Sequence, residues 1–191
     1  NGVARRASDA VGQLAAVLFT TLDIEIVAGP PRLPIDRAFS LPGAGTVVTG
    51  SSWSGSFSPG DQVRILPAGG TARIRSLEEH GTPVESSHPG RRLAVGLAGV
   101  EVSAVRRGES LVHEGVGWEA TTVLDARLNL LPGAGRPLAH QTRVRVHLGT
   151  TEVIARVQLR QELRPGAAAL GRLVLESPIL ARGGDRFLLR S

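Results

Sequence analysis

Arg32-Leu33-Pro34-Ile35-Asp36-Arg37-Ala38-Phe39-Ser40-Leu41-Pro42-Gly43-Ala44-Gly45-Thr46-Val47-Val48-Thr49-Gly50 is the stretch that decides how this 191-residue chain reads. Thr46-Val47-Val48-Thr49 is a run of β-branched residues, and the Leu41-Pro42-Gly43-Ala44-Gly45 before it is turn text. A Gly-x-Gly can open a dinucleotide-binding loop, but that fingerprint needs a third glycine and a following helix. Here position 48 is valine and the text continues as a strand. The same five residues recur at 131–135 and run into Arg136-Pro137, again a turn.

Outward from this stretch, short β-like runs continue to about Gly117: Gln62–Leu66, Ala72–Arg75 and Leu93–Leu97, separated by Pro59-Gly60-Asp61, Ala68-Gly69-Gly70 and Pro89-Gly90. Turns at this spacing with alternating patterns predict a closed β-barrel over residues 30–117. A second β pattern over 118–191 contains Thr142–Leu148, Glu152–Leu159, Ala167–Glu176 and Asp185–Arg190. The fold class is therefore all-β, two consecutive barrels joined near Glu114–Glu119. Ahead of them, Val11, Leu14, Ala15 and Leu18 follow helical spacing after Ser8 or Asp9, and Ala28-Gly29-Pro30-Pro31 reads as a linker, so residues 1–29 read as a short helix left from a preceding domain.

Composition excludes several chemistries. The chain has no cysteine, so disulfides, thiolate metal sites and cysteine nucleophiles are out, and a reducing compartment suits it. It has no methionine, so residue 1 is not an encoded start and the chain reads as a processed product or a piece of something longer. All 22 Lys+Arg residues are arginine, which removes any Schiff-base lysine and any phosphate-loop lysine. A GC-rich genome accounts for that bias, yet arginine still forks onto phosphates and carboxylates, which keeps a polyanion partner open. Six aromatics argue against folds that stack bases on exposed rings. The net charge of +5 sits in the C-terminal half: residues 1–29 carry −1, 30–117 carry +1 and 118–191 carry +5.

No active site stands out. Asp9-Ala10-Val11-Gly12 matches a GTPase D-x-x-G by chance, inside the helical pattern. His80, His88, His113, His140 and His147 show no metal-ligand spacing, so no metal site is read, and Ser51, Ser52, Ser54 and Ser56 lie in no nucleophile elbow. No catalytic residue is assigned on this chain.

Asp36-Arg37-Ala38-Phe39, Gly43–Gly50, Gly55 and Pro59-Gly60-Asp61 resemble the opening of the second domain of elongation factor Tu-like translational GTPases. His147-Leu148-Gly149-Thr150-Thr151-Glu152-Val153 and Gly183-Gly184-Asp185-Arg186-Phe187-Leu188-Leu189-Arg190 resemble their third domain. Within that superfamily, Ile35–Phe39 and Gly43–Gly50 look like the selenocysteine-specific branch, since elongation factor Tu itself usually has an acidic pair where this chain has Asp36-Arg37. A general elongation factor, the initiation-factor-2-gamma branch, or an unrelated β-barrel interaction module are the alternatives.

The resemblance implies a function and a site. The parent would deliver selenocysteyl-tRNA to the ribosome, as a cytoplasmic GTP-hydrolysing factor with GTP and Mg held in a GTPase domain and with winged-helix domains after the third domain; neither DNA nor a membrane is an implied partner. A selenolate needs a fixed cation, so Asp36, Arg37 and Arg92 are the implied selenocysteine pocket, with Asp36 orienting an arginine by a forked ion pair. Glu78 and His80 fall where the family meets the terminal adenosine. Arg145, His147 and Thr150 fall on the tRNA T-arm side, and Arg143 shares the strand face of Arg145. Phe39 is read as a core residue rather than a pocket aromatic. The turn glycines Gly43, Gly45, Gly50, Gly60 and Gly90 are assigned to backbone geometry.

Overall fold

The structure, a computed structural model, describes residues 29–43 and 45–190. The helix expected over residues 8–18 lies outside the described residues. Strands β1 (Arg32–Leu41), β2 (Gly45–Ser51), β3 (Gln62–Leu66), β4 (Gly70–Glu79), β5 (Thr82–Pro83), β6 (Arg92–Ala98) and β7 (Ser110–His113) form one antiparallel sheet in the order β3-β7-β1-β2-β6-β4-β5. Pairing of β3 with β4 closes it into a six-stranded barrel, with β5 an appendage on β4. Alternation dictates the closure: Leu33, Ile35, Val48, Val63, Ile65, Leu77, Val95 and Leu97 point inward and meet Phe57 from a loop, all buried. Closure leaves few unpaired edges to aggregate.

Residues 114–119 connect to a second unit. Strands β8 (Ala120–Asn129), β9 (Arg143–Leu148), β10 (Thr151–Gln158), β11 (Ala168–Leu180) and β12 (Leu188–Arg190) make a curled five-stranded sheet in the order β12-β9-β10-β11-β8. It is a half-barrel: among the described residues its edge strands β12 and β8 do not pair with each other. Val144, Val146 and Leu148 of β9 and Val153, Ala155 and Val157 of β10 supply the buried face, while Arg143, Arg145 and Arg156 face out. The sequence pattern stops β11 at Glu176. The strand instead runs to Leu180, and its ladder with β8 shifts register between Val174 and Ile179, which accommodates a proline that cannot donate to the ladder.

The units meet around one buried cation. Arg32, 2% exposed, forks onto Asp185 with Nη1–Oδ2 at 2.7 Å and Nη2–Oδ1 at 2.6 Å. Its guanidinium lies 4.5 Å from the Trp53 ring centre and 5.2 Å from that of Trp118, and the Arg182 guanidinium lies 5.9 Å from the Trp118 ring centre. Leu66, Val112, Trp118 and Leu180 pack together beside it, drawing on both units. The β9–β10 turn docks nearby: Thr151 donates its hydroxyl to the Gly108 carbonyl, and Gly149, at φ +58, sits so close that a Cβ there would lie 2.8 Å from the Trp53 ring.

A buried charge left without its partner costs about 3–5 kcal/mol. Asp185→Asn is therefore expected to destabilise the chain by about that amount, and replacing Arg32 and Asp185 together by leucine by far less. Trp53 and Trp118 are the only two tryptophans, so intrinsic fluorescence during urea unfolding reads this contact directly. An Asp185→Asn protein whose fluorescence midpoint matches the wild type would refute the assignment.

Candidate functional site

The face of the first barrel that carries Asp36 is shaped by an irregularity in β1. Ile35 pairs with Gly50 and Arg37 with Thr49, so Asp36 is an extra residue in a β-bulge. In a regular strand, successive side chains alternate faces; a bulge breaks that rule and re-aims them. Here both Asp36 and Arg37 meet Thr49, Asp36 through its carboxylate and Arg37 as cross-strand partner. Gly50 permits the bulge, because a Cβ at that position would stand 2.2 Å from the Pro34 carbonyl oxygen.

Arg92, first residue of β6, reaches this point from two strands away. Its Nη1 donates to Asp36 Oδ2 at 2.5 Å and its Nη2 to Oδ1 at 3.2 Å. Thr49 completes the arrangement: its hydroxyl donates to Asp36 Oδ1 at 2.6 Å and lies 3.5 Å from Arg92 Nη2. Partial burial works against the Asp36 charge, but the hydrogen bonds from Arg92 and Thr49 and the charges of Arg92 and Arg37 outweigh it and hold the carboxyl below the ordinary carboxylate range. The Asp36 hydrogen bond in turn raises Arg92. Among the described residues Arg37 has no hydrogen bond or ion pair of its own. The site is thus a carboxylate saturated by one arginine and one hydroxyl, beside a second arginine that is exposed and uncommitted.

The structure brings Asp36, Arg37 and Arg92 together although 55 residues separate the two arginines in sequence. Sequence reasoning missed Thr49, which carries no signal beyond β propensity until its partner across the ladder is known. Phe39, expected in the core, is 37% exposed: it lies two residues beyond Arg37 on β1 and stands outside the barrel's core cluster.

Glu78 does not touch this group. The ladder runs from Arg37 through Thr49 and Ala94 to Glu78, three inter-strand steps or about 14 Å across one face. Its floor is made of small side chains, with Gly96 and Ser76 adjoining. His80, exposed, takes φ 51 in the turn between β4 and β5. Its neighbour Glu79 has a buried oxygen, Oε1, with no partner.

In the half-barrel, Arg145 donates to Glu152 at 2.6 Å and His147 Nδ1 lies 3.7 Å from the same carboxylate. The Arg145 hydrogen bond, helped by the charges of Arg145, His147 and Arg190, lowers Glu152 below its ordinary value. Thr150 does not join them: it belongs to the turn against the first barrel, where its hydroxyl is buried without a partner, as is His147 Nε2. Arg143 forks onto Glu176.

With this geometry in view, comparison with known proteins is decisive. The family model described as "Elongation factor Tu domain 2" matches residues 45–112, and the one described as "Selenocysteine-specific elongation factor, beta-barrel domain" matches residues 123–191. The chain is 38% identical over 162 residues to the selenocysteine-specific elongation factor of Desulfomicrobium baculatum, covering 84% of this chain and 25% of that protein. The chain belongs to the selenocysteine-specific elongation factor family. Its counterpart in Escherichia coli K12 is 32% identical over 160 residues, covering 83% of this chain and 24% of that one. Elongation factor 1-alpha of Aeropyrum pernix is more distant, 28% identical over 162 residues, covering 84% of this chain and 36% of that one. The fold matches a crystal structure of a bacterial selenocysteine-specific elongation factor with a TM-score of 0.71 at 24% identity, over 95% of this chain and 29% of that one. The chain spans about a quarter of the length of these selenocysteine-specific relatives. Among the described residues no helix is long and apolar enough to cross a membrane.

The lowered Asp36 fixes the sign of a pH effect. A carboxyl held below its unfolded value contributes stability that is fully present above about pH 4 and is lost as pH falls through the lower folded value. With Arg92 about half exposed, the pair is worth about 0–1 kcal/mol, so acid should open the site before it unfolds the barrel. Thr49→Val should move the Asp36 titration upward in carboxyl-detected NMR, and an unchanged titration would remove Thr49 from the site.

Proposed function

We propose that these two units are the aminoacyl-end and acceptor-side tRNA-binding domains of a factor that delivers selenocysteyl-tRNA to the ribosome. The observation that carries this reading is the Asp36–Arg92 fork with Arg37 left uncommitted beside it. A selenol has a low pKa, so selenocysteine is a selenolate at neutral pH, whereas serine on the same tRNA presents a neutral hydroxyl. Asp36 holds Arg92 in one place, and Thr49 holds Asp36. The outward N–H groups of Arg92 then offer the selenolate fixed donors and Arg37 adds a second cation beside them, and serine gains no charge term from either. The small-residue strip toward Glu78 lies in line with this point and leaves room for the terminal adenosine, with Glu78 and His80 at its far end. The outer face of the half-barrel at Arg145 and His147, with Thr150 behind it at the inter-unit contact, takes the T-arm side, which suits the basic excess of this part of the chain.

GTP hydrolysis, with GTP and Mg bound, belongs on this reading to a GTPase domain elsewhere in the whole protein, as do winged-helix domains, and the factor works in the cytoplasm. Nothing in the chemistry of the site calls for a metal or a nucleophile on these two units: their part is to bind and to discriminate.

A charge-assisted contact contributes about 1.5–3 kcal/mol against about 0.5–1.5 for a neutral one, so each arginine contact favours the selenolate by about five- to thirty-fold. In the GTP-bound whole protein, Arg37→Ala is expected to reduce the preference for selenocysteyl-tRNA over seryl-tRNA by about that factor, and Arg92→Ala to do so while also releasing Asp36. Equilibrium binding of both aminoacyl-tRNAs to each variant checks this. Equal affinity of the wild type for the two tRNAs would favour a general elongation factor. Unchanged discrimination in both variants would place the selectivity elsewhere.

A further inference from the structure

The half-barrel carries a second feature, remote from the Asp36 site. A groove of about 580 Å³ lies where β10 parts from β11, lined by Asp125 and Arg127 of β8, Arg160 beyond the end of β10, and Leu170, Gly171 and Arg172 of β11. Gly171 is required by the packing beneath it, since a Cβ there would lie 2.9 Å from Leu159 and 3.0 Å from Leu128 of the core. Leu170 is 80% exposed beside it, and Leu131, just past β8, is 61% exposed.

The charges around the groove are unevenly satisfied. Three outward arginines of the half-barrel meet an acid: Arg143 forks onto Glu176, Arg172 forks onto Asp125 within the groove at 2.7 and 2.9 Å, and Arg145 donates to Glu152. Arg127, cross-strand partner of Leu170, and Arg160 have no carboxylate among the described residues. The strand that bounds the groove is also an edge. Among the described strands β8 pairs only with β11. The N–H and C=O of Val123 are both taken by the Thr121 hydroxyl, at 3.1 and 3.0 Å, so they turn away from β11. By the two-residue alternation of an antiparallel ladder, the backbone groups of Asp125 and Arg127 face the same open edge.

We propose that this groove docks an extended polypeptide segment of a protein partner in which carboxylates alternate with aliphatic side chains. Backbone hydrogen bonds to the β8 edge would hold the segment, its carboxylates would fork onto Arg127 and Arg160, and an aliphatic side chain would cover Leu170. Two observations favour polypeptide over RNA. The exposed centre of the groove is leucine, with no aromatic ring among its lining residues to stack a base. The planar fork of arginine matches a carboxylate two-pronged, and the edge offers a peptide backbone what a phosphate backbone cannot use.

The test uses the full 191-residue chain and a fluorescein-labelled heptapeptide in which glutamate alternates with leucine and valine. Its controls are the glutamine counterpart and a single-stranded RNA of equal net charge. Fluorescence anisotropy is expected to show the glutamate peptide binding more tightly than the glutamine peptide. Affinity should fall about tenfold in the Arg127→Glu/Arg160→Glu double variant and clearly in Leu170→Asp. Amide shifts of Asp125 and Arg127 should accompany binding. Equal binding of the two peptides overturns the proposal. So does RNA that binds more tightly than the glutamate peptide and is lost in the same variants. All three positions are exposed, so circular dichroism of the variants should match the wild type; the tRNA discrimination of the whole protein, read at Arg37 and Arg92, is independent of the outcome.

Discussion

Arg32 between two indole rings is the contact on which the arrangement of this chain depends. Its guanidinium is flat, so it presents π-facing surfaces to Trp53 and Trp118 and still has two edge N–H groups to fork onto Asp185. A lysine ammonium has neither the plane nor the fork. One of the guanidinium's donors, Nε, stays buried without a partner, and the stacking compensates for that. The consequence is geometric. Arg32 opens β1 and Asp185 sits in the turn before β12, so the fork ties the first strand of the barrel to the last turn of the half-barrel. Asp36 and Arg37 lie four and five residues further along that tethered strand.

The Asp36 group shows how a strand normally indifferent to its own neighbours can place two consecutive charged residues together. The bulge supplies the turn of the backbone, and Gly50 supplies the room for it. Because Arg92 and Thr49 between them occupy both oxygens of Asp36, the carboxylate does not collapse onto Arg37. A site with one acid and two arginines therefore keeps one unit of positive charge exposed, beside an arginine that the fork holds in place. That is the property a selective anion contact needs: preorganised donors that do not have to be pulled away from a competing partner.

The half-barrel treats its charge differently. Along β9 and the middle of β11 the outward arginines are matched by Glu152, Glu176 and Asp125, so the basic excess of the C-terminal half is concentrated away from these pairs. At the β8 corner, unmatched arginines adjoin an exposed leucine and an unpaired strand edge. Apolar surface, uncompensated charge and free backbone groups in one place are what a recognition surface has and what an ordinary solvated face lacks.

Much of this was legible in the residues themselves. Turn chemistry and alternation were enough for two β units, because a period of two and a glycine or proline every ten residues are local properties of the chain. The wording at Ile35–Phe39 and Gly43–Gly50 pointed to the family, and Asp36, Arg37 and Arg92 were nameable from it. What the residues left open was everything that depends on partners across the ladder. Thr49 looked like one more β-branched residue, Phe39 looked like core, and the strand from Ala167 read as ending at Glu176; register overrode all three. The second unit stays a half-barrel because closure depends on where its edge strands run, which no local pattern encodes. No local pattern marked Arg32 for burial, yet it is among the most buried side chains, since only the packing of two units could bring two tryptophans and Asp185 around it. Local sequence determined which elements form and which charges are available. Tertiary structure decided which of those charges are neutralised and which remain free to bind, because that depends on distances between residues far apart in the chain.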